Sequence, residues 1–502
     1  MFRPAYLRRL PTLKASTRLI STSLKSNQPL ATNNPPAPLS KADVPTTMQQ
    51  LGNLPGGAPV TGPGVHNLST LSPTPFSSDI ASADERSSDA HEARLLPENH
   101  PPMYLSNMKT SDVVALMLTS AATSHPTLIK LCTKLMPYMP NSIIKAIVYS
   151  LYCGGANHAE VVETGKKLLD RGFGNMMLSY SVEDAEGGDS ANALMDGAVD
   201  SIIESIDNVL VKYAHESEKK TGKSITGFVA LKPTGLMKNA TAILRNHDKP
   251  EYAEQWKQYL EVCRKICRHA AENGEGKVGI VFDAEKKILQ PGVYAAQRAM
   301  MQEFNVNGAV PVIGTIQMYL QDSIIQLQDD ISHAAANGYQ IGMKLVRGAY
   351  IHSEPDRWTT IHRTKEDSDI SYNRGVALCL DGIIPDIQQG THHSAVGKLI
   401  VASHNECSMA LAAHRLAADL TPEQLESQDK VIFAQLMGMA EDLGEELAHR
   451  GYKVLKYVPW GPVNETKDYL VRRMEENGDT LSDGGMTVAF QCASELAKRL
   501  VK

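Results

Sequence analysis

The sequence predicts an α/β protein, a (β/α)8 barrel of the TIM type with an N-terminal helical extension. Three observations carry the prediction. Short apolar or β-branched runs recur at Asn175 to Tyr180, Gly227 to Lys232, Val278 to Asp283, Val310 to Gln317, Gln340 to Val346, Lys398 to His404, Lys430 to Leu436 and Lys453 to Val458, the strand count of such a barrel. Longer segments of helical period separate them, among them Tyr252 to Asn273, Tyr294 to Phe304, Asp322 to Asn337, Cys407 to Ala418 and Gly438 to Arg450. Charged or polar residues end nearly every apolar run, where a barrel that merely packs needs none. The rival, an open doubly wound sheet, is weakened because no Gly-x-Gly-x-x-Gly turn follows an early strand.

The elements follow in order. Residues 1–42 hold Arg3, Arg8, Arg9, Lys14, Arg18, Lys25 and Lys41 and no acid, are rich in Ser and Thr, and lack a long apolar core. They read as a mitochondrial transit peptide. Residues 43–102, rich in Pro, Ser, Gly and Asn, are too poor in apolar side chains to build a core and read as a disordered linker. Residues 103–155 show apolar residues at helical spacing broken by Pro126, Pro137 and Pro140, and are expected to form a helical subdomain. The barrel is expected over 156–495.

Composition narrows the function classes. The net charge is -6 over 502 residues, which supplies no basic field for nucleic acid. The seven cysteines are scattered, with neither metal-ligand spacing nor a disulfide framework, and His392-His393 has no third ligand nearby, so no metal is expected. No apolar run reaches the roughly 18 residues that span a bilayer.

In a barrel, the strand C-terminal ends face one shared mouth. Those ends carry Lys232, Asp283 with Glu285, Gln317, Lys344 with Arg347, His404 with Asn405, Gln435 and Tyr457. A helix then follows the eighth strand, with Tyr469, Arg472, Arg473 and Glu476 on one side. The expected mouth is cationic and suited to an anion. Taken singly, each residue has a plainer reading. The arginine pair could be a solvated face, Asp283 and Glu285 could be helix caps, His404-Asn405 could be a turn, and Tyr457 could be core.

The runs Phe282-Asp283-Ala284-Glu285, Lys344-Leu345-Val346-Arg347-Gly348-Ala349-Tyr350, Ala402-Ser403-His404-Asn405, Gln435-Leu436-Met437-Gly438-Met439 and Tyr469 to Asn477 resemble proline dehydrogenase, from about Cys153 to Gln491 and through all eight strands in order. The resemblance implies an FAD-dependent barrel that oxidises L-proline to 1-pyrroline-5-carboxylate by hydride transfer from C5 to flavin N5. Electrons would pass to a membrane quinone, in peripheral contact with the matrix side of the mitochondrial inner membrane. It also implies roles residue by residue. Arg472, Arg473 and Lys232 would grip the carboxylate, with Tyr457 and Leu436 walling the ring. Asp283 would hold the pocket's shape near the arginines, and Lys344 would stand near flavin N5. Asp283, Lys344 and Tyr457 would thus form the catalytic set. Gln317, Val346, Gly348, Tyr350, Ser403, His404 and Glu476 would contact the cofactor.

The sequence departs from that pattern around Ser179-Tyr180-Ser181-Val182-Glu183-Asp184 and at Gly235, and Glu354 to Gly397 has no counterpart in the motifs and reads as a lid or an insertion. The same chemistry on 4-hydroxyproline, a methylenetetrahydrofolate reductase type of flavin barrel, and a non-catalytic flavin-barrel binding protein are the alternatives. The paired arginines fit an amino-acid carboxylate better than a pterin.

Overall fold

A computed structural model describes residues 94–96, 104–181, 189–222, 225–351, 354–464, 466, 467, 469–471 and 485–501. All fall in the unit Pro75–Lys502; the other unit, Met1–Thr74, holds none of them. The expected transit segment and nearly all of the expected linker therefore lie outside the described residues, as do Arg472, Arg473 and Glu476.

Eight parallel strands pair in chain order and close into a barrel: β1 (Asn175–Tyr180), β2 (Gly227–Leu231), β3 (Val278–Phe282), β4 (Val312–Gln317), β5 (Ile341–Val346), β6 (Val396–Ala402), β7 (Val431–Leu436) and β8 (Val454–Trp460), with β8 returning to β1. Each matches one of the apolar runs, with ends moved by a residue or two. The principal helices are α1 (Thr110–Ala122), α2 (Pro126–Leu135), α3 (His158–Asp170), α4 (Asp189–Ser205), α5 (Ala253–Asn273), α6 (Gln290–Phe304), α7 (Ser323–Asn337), α8 (Lys365–Gln389), α9 (Glu406–Asp419), α10 (Glu441–His449) and α11 (Gly485–Val501).

Strand alternation sorts side chains into two cores. Met177, Phe228, Ala230, Val281, Ile313, Ile400, Ile432, Ala434 and Leu455 fill the barrel interior, so it is packed and not a pore. Their neighbours, such as Met176, Val229, Ile280, Ile316, Leu345, Val401, Phe433 and Val458, point outward and are sealed by the helices. A strand with both faces covered should be apolar throughout, as β2 and β3 are.

Two expectations are corrected. The stretch from Glu354 to Gly397 is no inserted lid. It contains α8, the covering helix between β5 and β6, whose buried Cys379, Leu380, Ile383 and Ile384 join the outer core. Its length and weak amphipathicity hide it, because a helix packed between neighbours buries side chains on more than one face. Gln435 does not face the mouth: it accepts a hydrogen bond from Lys456 (2.9 Å) in the outer layer, since Ala434 and Leu436 hold the inward positions on β7.

Lys456, fully buried on β8, belongs to an ionic network that ties strands to helices. It lies 3.0 Å from Glu441 Oε1, and Arg171 reaches both Glu441 and Glu445. Burial pushes the Glu441 carboxyl up, but Lys456 and Arg171 outweigh it and hold the group below its usual range. Burial pushes the Lys456 ammonium down and the Glu445 carboxyl up, so Glu441 is the member whose charge its partners hold most firmly. Breaking a buried pair leaves an uncompensated charge, so Lys456→Met should lower the unfolding free energy by about 3–5 kcal/mol in urea denaturation. A midpoint equal to that of the native chain would show the network to be dispensable.

Candidate functional site

The mouth is organised by inward positions one step above the interior core. On β1 the inward residue after Met177 is Ser179; the residue after Phe282 on β3 is Asp283; Lys344 follows two places after Gly342 on β5; Tyr457 follows Leu455 on β8. Register brings them together, with Met177 opposite Tyr457 and Leu436 opposite Tyr457 on the other side. The Lys344 ammonium pairs with Asp283 Oδ1, and the Tyr457 hydroxyl donates to Asp283 Oδ2 (2.7 Å). Ser179 Oγ lies 2.8 Å from the same phenol oxygen and can donate to it. Lys344 Nζ also stands 5.5 Å from the centre of the Tyr457 ring.

The Asp283 carboxylate thus uses both oxygens, one on a cation and one on a phenol. Burial first, then the negative charge of Asp283, hold the Tyr457 phenol well above its usual range. Tyr457 stays protonated at any physiological pH and acts as a fixed donor. Ser179 was not singled out from the sequence for this role; its signal was its place on the inward face of β1, two residues beyond Met177.

The other expected residues divide. Gln317, fully buried at the end of β4, donates to the Glu285 carbonyl (3.3 Å), but its Oε1 is buried with no partner. Glu285 is buried, accepts from Thr234 (2.8 Å), and lies 3.2 Å from the Tyr350 hydroxyl. Val346 ends β5, its carbonyl accepting from Met318 N–H (2.7 Å). Gly348 (φ +92°) and Tyr350 (φ +62°) both take left-handed backbone conformations, and the space where a Gly348 side chain would stand is open. Leu436 is half-buried beside Tyr457, Ser403 accepts from Asn405 N–H (3.0 Å), and His404 is exposed. Lys232 lies at the end of β2 with its ammonium 6.0 Å from the centre of the Tyr469 ring.

Two strand-end residues do not serve the mouth. Arg347 turns outward to Asp369 (3.0 Å) and Ser408 (2.9 Å), with its guanidinium 4.1 Å from the Tyr372 ring centre. Asn405 caps α9, accepting from Ser408 N–H (3.0 Å). The described mouth is consequently less cationic than its sequence suggests, because Lys344 is answered by Asp283 and Arg347 faces away.

Residues 469–471 are helical, and Tyr469 and Leu470 are buried against Met136, Ile144, Val148, Tyr149 and Cys153. The Tyr149 hydroxyl donates to the Gly461 carbonyl just after β8 and lies 3.2 Å from Thr466 Oγ1. The helices before the barrel therefore fix the approach to the segment in which the arginine pair lies. Among the described residues, no group of His, Cys, Asp and Glu could hold a metal ion, and no helix is long and apolar enough to cross a membrane.

A Cβ-free glycine, an open left-handed turn and an unpartnered buried amide oxygen at one mouth are features that suit a bound planar cofactor.

Comparison with known proteins agrees with this geometry. The sequence model of the family described as proline dehydrogenase matches residues 161–484. The "Carbapenem antibiotics biosynthesis protein CarD" of Pectobacterium carotovorum subsp. carotovorum is 28% identical over 348 residues, 67% of this chain and 81% of that protein. Human "Proline dehydrogenase 1, mitochondrial" is 33% identical over 234 residues, 45% of this chain but only 36% of that protein. "Proline dehydrogenase 2, mitochondrial" of Arabidopsis thaliana is 25% identical over 84% of this chain and 94% of its own length. Among solved structures, proline utilization A from Bdellovibrio bacteriovorus superposes with a TM-score of 0.52 at 16% identity, over 80% of this chain and 42% of that one. A Bradyrhizobium japonicum counterpart gives 0.53 at 17% identity, over 82% and 46%. These structures share the fold, and the chain spans less than half of their length.

The raised Tyr457 value has a signed consequence. A phenol whose folded value exceeds the unfolded one, about 10, contributes stability that is complete below that pH and is lost as pH rises through the folded value. Tyr457→Phe should lose less stability than the native chain between about pH 9 and 12, read from denaturation midpoints across that window. Equal losses would mean that burial and Asp283 together do not hold the phenol protonated in the folded chain.

Proposed function

The chain belongs to the proline dehydrogenase family, and we propose that its barrel oxidises L-proline to 1-pyrroline-5-carboxylate with a bound FAD, as the first step of proline catabolism to glutamate. The observation that carries this reading is the Lys344–Asp283–Tyr457 chain at the mouth of a closed barrel in a member of that family. A flavin, when bound, supplies the two-electron acceptor for the substrate's C5–H bond. Gln317, Lys344, Val346, Gly348, Tyr350, Ser403, His404 and Glu476 are the residues that would hold it, and the unpartnered Gln317 Oε1 supports a polar ligand there.

The chain's own residues bind and orient. Lys232, Arg472 and Arg473 grip the substrate carboxylate, far from the reacting carbon, so that charge-assisted bonds fix where C5 lies. Tyr457 and Leu436, neighbours across β7 and β8, wall the pyrrolidine ring. The phenol keeps its own proton and donates it in a hydrogen bond to Asp283, so the ring is held in place as a fixed donor. Lys344 pairs directly with Asp283, which keeps its ammonium at the mouth. The substrate amine must be neutral before its C–H bond can break, and cations around the carboxylate disfavour the ammonium form. Orientation and desolvation then supply the rate in place of a general base.

In this reading electrons leave for a membrane quinone, and the chain works in the mitochondrion in peripheral contact with the matrix side of the inner membrane. The acid-free basic stretch over 1–42 and relatives named as mitochondrial support that location.

Under anaerobic conditions, L-proline should bleach the flavin absorbance of the purified protein, and a flavin left unchanged by proline would overturn the reading. Lys232→Met should raise the KM for proline about tenfold to hundredfold, as expected for a lost charged hydrogen bond of about 1.5–3 kcal/mol, with a smaller change in kcat. An unaltered KM would remove Lys232 from the carboxylate site.

A further inference from the structure

Helix α2 presents its apolar side to solvent. Leu128, Leu131 and Leu135, at positions i, i+3 and i+7, share one face and are 42%, 53% and 51% exposed, while Ile129 is the buried anchor. The surface continues through the exposed Tyr138 and Ile143. On α1, Val114 and Leu118, one turn apart, are also exposed and line a groove with Ala115, Ala146 and Ile147. In a helix packed on its own protein this stripe would face inward, so a large outward stripe marks a contact surface.

Charge selects the partner. From Val113 to Ala159 the chain has no Asp or Glu, although acids outnumber bases, 56 to 50, over the whole sequence. Lys130 and Lys134 are exposed beside the leucines, and among the described residues neither pairs with a carboxylate. A second copy docked through this face would bring those lysines together with no acid to answer them, and lysine is depleted from protein interface cores. Leucines flanked by lysines on a ten-residue helix, too short to cross a bilayer, match a helix lying in an anionic lipid interface.

We infer that the α1–α2 face, with Leu128, Leu131 and Leu135 at its centre and Lys130 and Lys134 at its rim, docks onto an anionic lipid surface. The inference rests on the membrane-associated reading above and assigns the contact to particular side chains. The chain that continues from α2 packs, through Met136 and Tyr149, on the residues that follow β8, so docking would hold the barrel at a set distance from lipid.

The test is co-sedimentation of the full chain with vesicles of phosphatidylcholine alone or mixed with phosphatidylglycerol, at low and high salt. Proline-dependent reduction of a soluble dye is followed alongside. The native chain should bind the mixed vesicles, and salt should weaken the binding. Leu131→Ser with Leu135→Ser should cut partitioning about a hundredfold. Lys130→Glu with Lys134→Glu should cut it at least about twenty-fivefold, on the anionic vesicles only. Both variants should keep the dye activity, so loss of that activity in the native chain would count against the proposed reaction and not against this face. Absence of vesicle binding, binding that both variants retain, or a solution dimer that the leucine variant breaks would each overturn the inference.

Discussion

The mouth of this barrel depends on one carboxylate. Asp283 receives the Lys344 ammonium on one oxygen and the Tyr457 phenol on the other, and three strands separated in sequence are thereby fixed relative to one another. The buried Lys344 ammonium without Asp283 would be an uncompensated charge, and the half-buried carboxylate without its two donors would lose the partners that fix it. Satisfied together they are rigid, and rigidity is what an enzyme relying on orientation requires. The same carboxylate answers the Lys344 charge, so among the described residues the mouth is less cationic than its strand ends suggest.

A second ionic network does for the outer layer what Asp283 does for the inner one. Glu441 binds Lys456 and Arg171 and also accepts the Gly438 N–H (2.9 Å), so it closes the turn that follows Leu436. That turn needs left-handed backbone at Gly438 (φ +83°), where a side chain would strike Tyr152. The end of β7 at Leu436 thus runs straight into a turn that Glu441 closes and that lies against Tyr152, ahead of the barrel. Tyr149 extends the arrangement to Gly461 and Thr466, beyond β8.

The barrel was legible because its strands are buried on both faces and stand out as apolar runs, and because a closed parallel sheet places polar residues at the ends of those runs. Asp283, Lys344 and Tyr457 were legible for the same reason. What the sequence hid was direction. Gln435 and Arg347 sit one residue out of phase with the inward positions, so they joined the outer layer, which parity along each strand could have revealed. Ser179 was hidden because a lone serine on a strand carries no chemical signal until a phenol is brought against it. Helix α8 was hidden because its burial is spread around the helix and blurs its period. The contact between the preceding helices and the residues after β8 joins positions some three hundred residues apart, and no local pattern encodes it.

The coupling between Asp283 and Tyr457 is the most direct consequence of a mouth centred on one carboxylate. A double-mutant cycle on Asp283→Asn and Tyr457→Phe, read as kcat/KM for L-proline, should be non-additive: the double variant should lose about 1–2 kcal/mol less than the sum of the single losses, because each single change already breaks the shared hydrogen bond. Losses that add within about 0.5 kcal/mol would show that the two residues act independently, and would contradict the carboxylate-centred mouth described above.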